Sequence, residues 1–238
     1  MLQAILTCLY QLGMFIFPCL LILIPLRFLT RIPDFVFRKL LHIVAFTGAA
    51  LMLIKAPNWY EPAITSALIA FGLYPVLTIL ERVSFYKKFF VEKTDGEIKR
   101  SLVMYFLMIA ALCTADGVLK TELSPDAVIM WGTGDAAAAL VGIPFGRHRN
   151  IPRTDGKKSV EGTAAMFIVS AICGTAVMAY RMQQFDMGML LIIVPCAAVG
   201  AAVELWSPSE YDTVTVPAAI YICELLLGAI LSAVLMVE

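Results

Sequence analysis

The sequence predicts an all-α, polytopic integral membrane protein of about eight transmembrane helices, and three observations predict it. Of its 238 residues, 61% are hydrophobic and only 15% charged, whereas soluble domains carry about 25% charged residues. The apolar residues fall into runs long enough to cross a bilayer, whose ~30 Å hydrocarbon core takes about 20 helical residues. The basic residues gather in alternate loops, the pattern expected when Lys and Arg are retained on the cytoplasmic side. The formal charge is zero, with 18 Lys plus Arg against 18 Asp plus Glu, so the chain lacks the cationic excess with which a nucleic-acid binder neutralises phosphates.

In order, the expected spans are 2–26, 40–58, 62–80, 101–119, 125–143, 160–180, 187–206 and 214–237. The first has no basic residue before it and runs uncharged from Leu2 to Leu26, longer than the apolar core of a cleaved signal, so it reads as a membrane span. The loop after it holds Arg27, Arg31, Arg38 and Lys39. The loop after the third span holds Arg82, Lys87, Lys88, Lys93, Lys99 and Arg100. The loop after the fifth holds Arg147, Arg149, Arg153, Lys157 and Lys158. Fifteen of the 18 basic residues thus fall on one side, leaving Lys55, Lys120 and Arg181 on the other. Eight spans consume most of the chain, so residues 1–238 read as a single transmembrane helical domain. Its site is expected at the cytoplasmic helix ends and the 143–160 loop. No internal repeat suggests the two-fold symmetry common in transporters. The cysteines Cys8, Cys19, Cys113, Cys173, Cys196 and Cys223 are scattered singly in apolar runs, which supports neither a disulfide framework nor a zinc site.

The densest chemical signal is Trp131–Thr163, WGTGDAAAALVGIPFGRHRNIPRTDGKKSVEGT. Asp135 stands inside an apolar helix, where a charge costs about 2.5–3.5 kcal/mol on insertion scales. Gly132, Ala136, Ala139 and Gly142 recur at helical spacing and make a smooth face for another helix or a ligand. The helix breaks at Gly142-Ile-Pro-Phe-Gly146, and the loop that follows is rich in cations. Glycines with approachable N–H groups beside cations make a seat for a polyphosphate; such loops also serve only to fix topology or touch anionic headgroups. At Lys158-Ser159-Val160-Glu161-Gly162-Thr163, Ser159 can cap the sixth span, whose free N–H groups can take phosphate oxygens, with Glu161 in the first turn. A carboxylate beside phosphates calls for a cation, and Asp135 with Glu161 could hold Mg²⁺, which binds through one or two carboxylates plus the substrate's phosphates. The spacing before Gly156-Lys157 fails the P-loop pattern, with Ile151 at the first glycine position. Gly132-Thr-Gly134 lies in a span rather than a βαβ unit, which excludes a dinucleotide fold.

Arg38, Lys39 and His42 cluster at the start of the second span, where they could clamp a phosphate or simply mark the cytoplasmic boundary. Glu97-Ile-Lys99-Arg100 repeats the arrangement. Glu204, Glu210 and Asp212 form an acidic loop without Lys or Arg, able to supply a metal ligand or a proton acceptor, while Asp212-Thr213 could equally cap the last helix. Asp116 is expected at the outer surface, and Glu224, near the middle of the last span, has no evident role.

Together GDAAAALVG at 134–142, FGRHR at 145–149, KSVEGT at 158–163, RKLLH at 38–42 and EIKRS at 97–101 resemble the polyprenol kinase family of membrane enzymes, which includes dolichol kinase, phytol kinase and the CTP-dependent diacylglycerol kinase. The resemblance runs from about residue 38 to 217. It implies transfer of the terminal phosphoryl group of CTP, with Mg²⁺, to a lipid alcohol at the cytoplasmic face. It assigns metal and nucleotide phosphates to Asp135, CTP to Lys157-Lys158-Ser159, and metal support to Glu161. The expected catalytic residues are Asp135, Glu161, His42 and Asp212, and the expected metal ligands Asp135, Glu161 and Glu204. Nucleotide contacts are expected from Gly134, Gly142, Gly146, Arg147, Lys157, Lys158, Ser159, Gly162, Thr163, Arg38, Lys39, Lys99 and Arg100. Where the family tends to show Asp-Asn before a Thr-Val-Pro-like segment, this chain has Asp212-Thr213. A related pattern occurs in phosphatidate cytidylyltransferase, the alternative enzyme reading; a membrane transporter is the alternative of another class. The partners implied are a lipid alcohol, a nucleotide and the bilayer, with a homodimer left open.

Overall fold

The computed structural model describes residues 1–30, 32–81, 96–149, 151–152, 154, 156–208 and 211–235. Arg31, Arg82, Lys87, Lys88, Lys93, Arg153 and Glu210, and the side chain of Glu97, lie outside the described residues. The described residues form eight long helices: α1 (Leu2–Leu29), α2 (Asp34–Lys55), α3 (Tyr60–Leu80), α4 (Glu97–Leu119), α5 (Ser124–Phe145), α6 (Val160–Met182), α7 (Met187–Trp206) and α8 (Asp212–Leu235). Each contains a segment long and apolar enough to cross a membrane, so the chain is a multi-pass integral membrane protein. Helices are the natural solution, because every backbone N–H and C=O inside hydrocarbon must find its partner within the segment.

The helix ends follow local chemistry. Pro33 precedes α2, and the helix begins at Asp34, six residues before the expected start of the span at 40. Arg38 and Lys39 are therefore helical residues in the first turns of α2 and not part of the preceding loop. Lys120 adopts a left-handed conformation (φ 56°) and stops α4. Asp116 then gathers the turn into α5, accepting from the backbone N–H of Leu123 (2.9 Å) and Ser124 (3.0 Å) and from the hydroxyls of Thr121 (2.8 Å) and Tyr221 (2.9 Å). The acid expected at the outer surface is instead 5% exposed and organises a turn. Ser159 caps α6, its Oγ accepting from the Gly162 N–H at 3.1 Å. Asp186 caps α7 by accepting from the Gly188 N–H at 3.1 Å.

Helix α5 occupies the centre, packed against α6, α2, α8, α4 and α7, and its residues Ser124–Gly134 are buried without interruption. By contrast α1 lies at the edge against α2 and α3, with only Cys8 and Leu12 buried. In a bilayer helices gain little by excluding lipid, so close van der Waals contact between small residues holds them together. Phe46 of α2 fills the notch left by Gly132, and Ser170 and Met166 of α6 press on Gly134. A Cβ at Gly162 would lie 2.8 Å from the Ala138 carbonyl oxygen, and one at Gly142 would lie 3.0 Å from Ser159 Oγ. The smooth face seen in the sequence is covered by two neighbouring helices. All six cysteines are free.

Candidate functional site

The end of the bundle where α2, α6 and α8 begin and α5 and α7 finish collects most of the candidate residues in two layers. The deeper one is built on Asp135, which the glycine-rich face of α5 carries to the seam between α2 and α6. Lys39 Nζ bonds Asp135 Oδ2 at 2.6 Å, and His42 Nε2 lies 3.1 Å from the same oxygen. Lys39 and His42 approach one carboxylate oxygen because residues three apart share a helix face. The His42 ring stacks on Phe46 (centroids 4.3 Å), which sets its edge against Trp131 at 4.4 Å. The His42 Nε2 lies close to the carboxylate without making a hydrogen bond, so the packed aromatic is what orients the imidazole. Arg38, the other basic residue of this turn, is half-buried.

Lys158, just before α6, completes this layer by reaching across to α7 and α8. Its Nζ lies 3.2 Å from Glu204 Oε1 and 3.8 Å from Asp212 Oδ2, and it bonds the backbone carbonyls of Glu204 and of Ser207, the latter at 2.9 Å. Those carbonyls are the unsatisfied acceptors at the C-terminal end of α7, where a cation is favoured. Asp135 and Lys39 both act electrostatically on Glu204 and Asp212, so the two ion-pair groups form a single field. Six side chains from five segments converge here: Lys39, His42, Asp135, Lys158, Glu204 and Asp212.

The outer layer is the α5–α6 loop. Glu161 is engaged by His148, whose Nδ1 lies 2.6 Å from Oε1 and whose backbone N–H lies 3.3 Å from both carboxylate oxygens. Arg149 folds back over the end of α5: Nε donates to Gly146 O (3.1 Å), Nη2 to Gly142 O (2.6 Å) and Ile143 O (3.2 Å), and Nη1 to Lys157 O (3.1 Å). The guanidinium thereby joins the loop's entrance to its exit. Thr163 returns its hydroxyl to Ser159 O at 3.1 Å. Arg147 and Lys157 are exposed beside it.

The structure pairs Asp135 with Lys39 and sets Glu204 and Asp212 around Lys158, whereas Glu161 faces His148. Gly134, Gly142, Gly146 and Gly162 all serve close packing between α5 and α6. Lys99 pairs with Glu81 at 2.9 Å, reaches Thr78 Oγ1 at 3.3 Å and lies over the Tyr74 ring, which ties α4 to α3 rather than to Asp135; Arg100 beside it is exposed. Sequence reasoning missed Arg149 as the loop's clamp and Lys158 as the partner of the acidic residues. The second had a signal, since an acidic loop without Lys or Arg at a membrane boundary needs a cation from elsewhere.

Asp135, Glu204 and Asp212 offer oxygen atoms of the kind a hard divalent ion takes, but among the described residues no group of three or more His, Cys, Asp or Glu side chains is arranged to hold a metal ion. Mg²⁺ typically fills such a partial set with phosphate oxygens and water. Fold and site thus define a polytopic membrane protein with a half-buried acid–base cluster at one end. The chain has no significant match among protein-family models, curated proteins or solved structures.

Proposed function

We propose that this protein is a CTP-dependent lipid kinase, phosphorylating the hydroxyl of a lipid alcohol such as a polyprenol, phytol or diacylglycerol at the cytoplasmic face. The observation that carries the reading is the convergence of Asp135, Lys39, His42, Lys158, Glu204 and Asp212 within the helices. The family resemblance supplies the nucleotide and the class of acceptor. Phosphoryl transfer asks mainly for alignment and for charge placed around the moving phosphoryl group, and a cluster of lysines and carboxylates is suited to both.

In this reading the exposed Arg147 and Lys157 attract the nucleotide, and the α6 N-terminus offers N–H groups to its phosphates. Lys39 and Lys158 neutralise charge in the deep layer. Asp135, with Glu204 and Asp212, would hold Mg²⁺, which when bound screens the phosphate oxygens and polarises the transferred group. Glu161 stays with the loop, holding His148. The lipid alcohol approaches sideways from the bilayer. Its oxygen forms a bond to the terminal phosphorus as the bond to the CDP oxygen breaks, and its proton passes to a nearby base, for which His42 and Asp212 are the candidates.

The test incubates purified protein in lipid with Mg²⁺, a panel of lipid alcohols and CTP labelled on the terminal phosphate, with ATP in parallel. Label in a phospholipid product that vanishes in Asp135→Asn supports the kinase. CDP-lipid with release of pyrophosphate replaces it with the cytidylyltransferase reading. Absence of any nucleotide-dependent product, together with solute flux in vesicles, replaces it with transport.

A further inference from the structure

The half of the bundle away from Lys39 and Lys158 contains a second acidic cluster, independent of the function proposed above. Asp126, in the first turn of α5, is 0% exposed, and Glu224, in the middle of α8, is 1% exposed. Asp126 lies nine residues before Asp135, about 13 Å along the same helix. Arg181, from the last turn of α6, bonds Asp126 Oδ2 and lies 3.5 Å from Glu122. Asp126 Oδ1 and both oxygens of Glu224 meet no N–H or O–H donor among the described residues. What they meet is each other, for the two carboxyl groups are within hydrogen-bonding reach.

Two ionised carboxylates cannot bond one another, and burying an unpaired carboxylate in an apolar interior is prohibitively unfavourable. A single proton resolves both problems at once. It converts two opposed acceptors into a donor and an acceptor, and it leaves Asp126, Glu224 and Arg181 together neutral. The surrounding groups do not supply an alternative. Asp116 of α4 is fully occupied by Leu123, Ser124, Thr121 and Tyr221. Cys196 of α7 and Cys223 of α8 lie alongside, and Cys113 of α4 stands behind Asp116. From α2 the nearest contributions are Leu53 and Ile54, which line a cleft of about 460 Å³ together with Asp116, Glu122, Lys120, Ser124 and Arg181. Arg181, which bonds Asp126, lines that cleft.

We propose that Asp126 and Glu224 bind one proton between them at neutral pH, forming a proton-binding site that opens through the Arg181 cleft toward the end of the bundle opposite Lys39 and Lys158. The proton is exchanged with water in the cleft, and no other chemistry is required. This gives Glu224 a role that its sequence context does not reveal.

Infrared spectroscopy of the full-length protein in lipid nanodiscs at neutral pH tests the proposal. The wild type is expected to show the carbonyl stretch of a protonated carboxyl, shifted on transfer to D₂O and lost in both Glu224→Gln and Asp126→Asn. Glu224→Gln keeps the shape and can donate its amide to Asp126, so retention of its helical circular dichroism is expected. Spectra of wild type and Glu224→Gln that are identical in the carboxyl region would overturn the pair; a band indifferent to D₂O would overturn the access route. If neither variant folds, wild-type protein labelled with ¹³C-glutamate or ¹³C-aspartate decides. A protonated-carboxyl band that moves with either label supports the site, and absence of any such band sinks it.

Discussion

Replacing Lys158 by Met keeps the length of the side chain and removes its charge, which isolates what the ammonium does. In the native protein its side chain and that of Glu204 are each 10% exposed, and Asp212 is 24% exposed. The substitution therefore strands two carboxylates where water has little access, and also strands the Glu204 and Ser207 carbonyls that Lys158 bonds. Breaking a buried ion pair by removing one partner costs about 3–5 kcal/mol. The partial exposure of Asp212 lets water recover some of that, so a loss of roughly 3 kcal/mol is expected. For a chain of this size 1 kcal/mol moves the melting temperature by about 2–4 °C, giving a drop of roughly 6–12 °C. The assay is thermal unfolding of purified protein in one detergent, followed by tryptophan fluorescence. The double variant Lys158→Met/Glu204→Gln leaves no stranded Glu204 charge, and recovery of about half the loss is expected because contacting residues couple by about 0.5–3 kcal/mol. A single variant melting within about 2 °C of wild type, or a double variant whose losses simply add, would refute the view that Lys158 neutralises Glu204 and Asp212.

Asp135→Asn keeps the shape of α5 while discharging the acceptor of Lys39; monodisperse folded protein with turnover reduced to background is expected in the labelled-CTP assay. Ser159→Ala removes the α6 cap, with an expected loss of about 0.5–2 kcal/mol in thermal unfolding. Gly162→Ala drives a methyl against the Ala138 carbonyl and is expected to destabilise by about 1–3 kcal/mol. Gly13→Ala and Gly228→Ala, where the added carbon meets nothing within 4 Å, are expected to be neutral or stabilising by up to about 1 kcal/mol; the melting temperatures of the three variants decide.

The fold was readable because its signal is additive. Eight apolar runs give the spans, and the clustering of cations in alternate loops of the sequence agrees with that layout. Helix ends were less readable where charged residues stay helical past the apolar run, as at Arg38 and Lys39, because composition records water and not hydrogen bonding. Candidate residues were legible as types out of place: Asp135 stands out inside an apolar helix, as does Glu161 at the head of another. Their partners were not legible. Lys39 reaches Asp135 across 96 positions and Lys158 reaches Glu204 across 46, distances over which local patterning is silent. The glycines show the converse: their spacing announced a close approach, and only the packing of α2 and α6 tells what approaches.

Helices α5 and α8 both take part in the two polar clusters, and for α5 this has a mechanical consequence. It is a continuous helix held by Lys39 at Asp135 and by Arg181 at Asp126. Sliding it by a turn, about 5.4 Å, would tear both attachments at once, so α5 is the fixed spindle of the molecule. Motion that admits a bulky partner is therefore expected at the periphery, where α1 buries only Cys8 and Leu12. A crosslink tying α1 to α2 is expected to restrain that edge of the bundle.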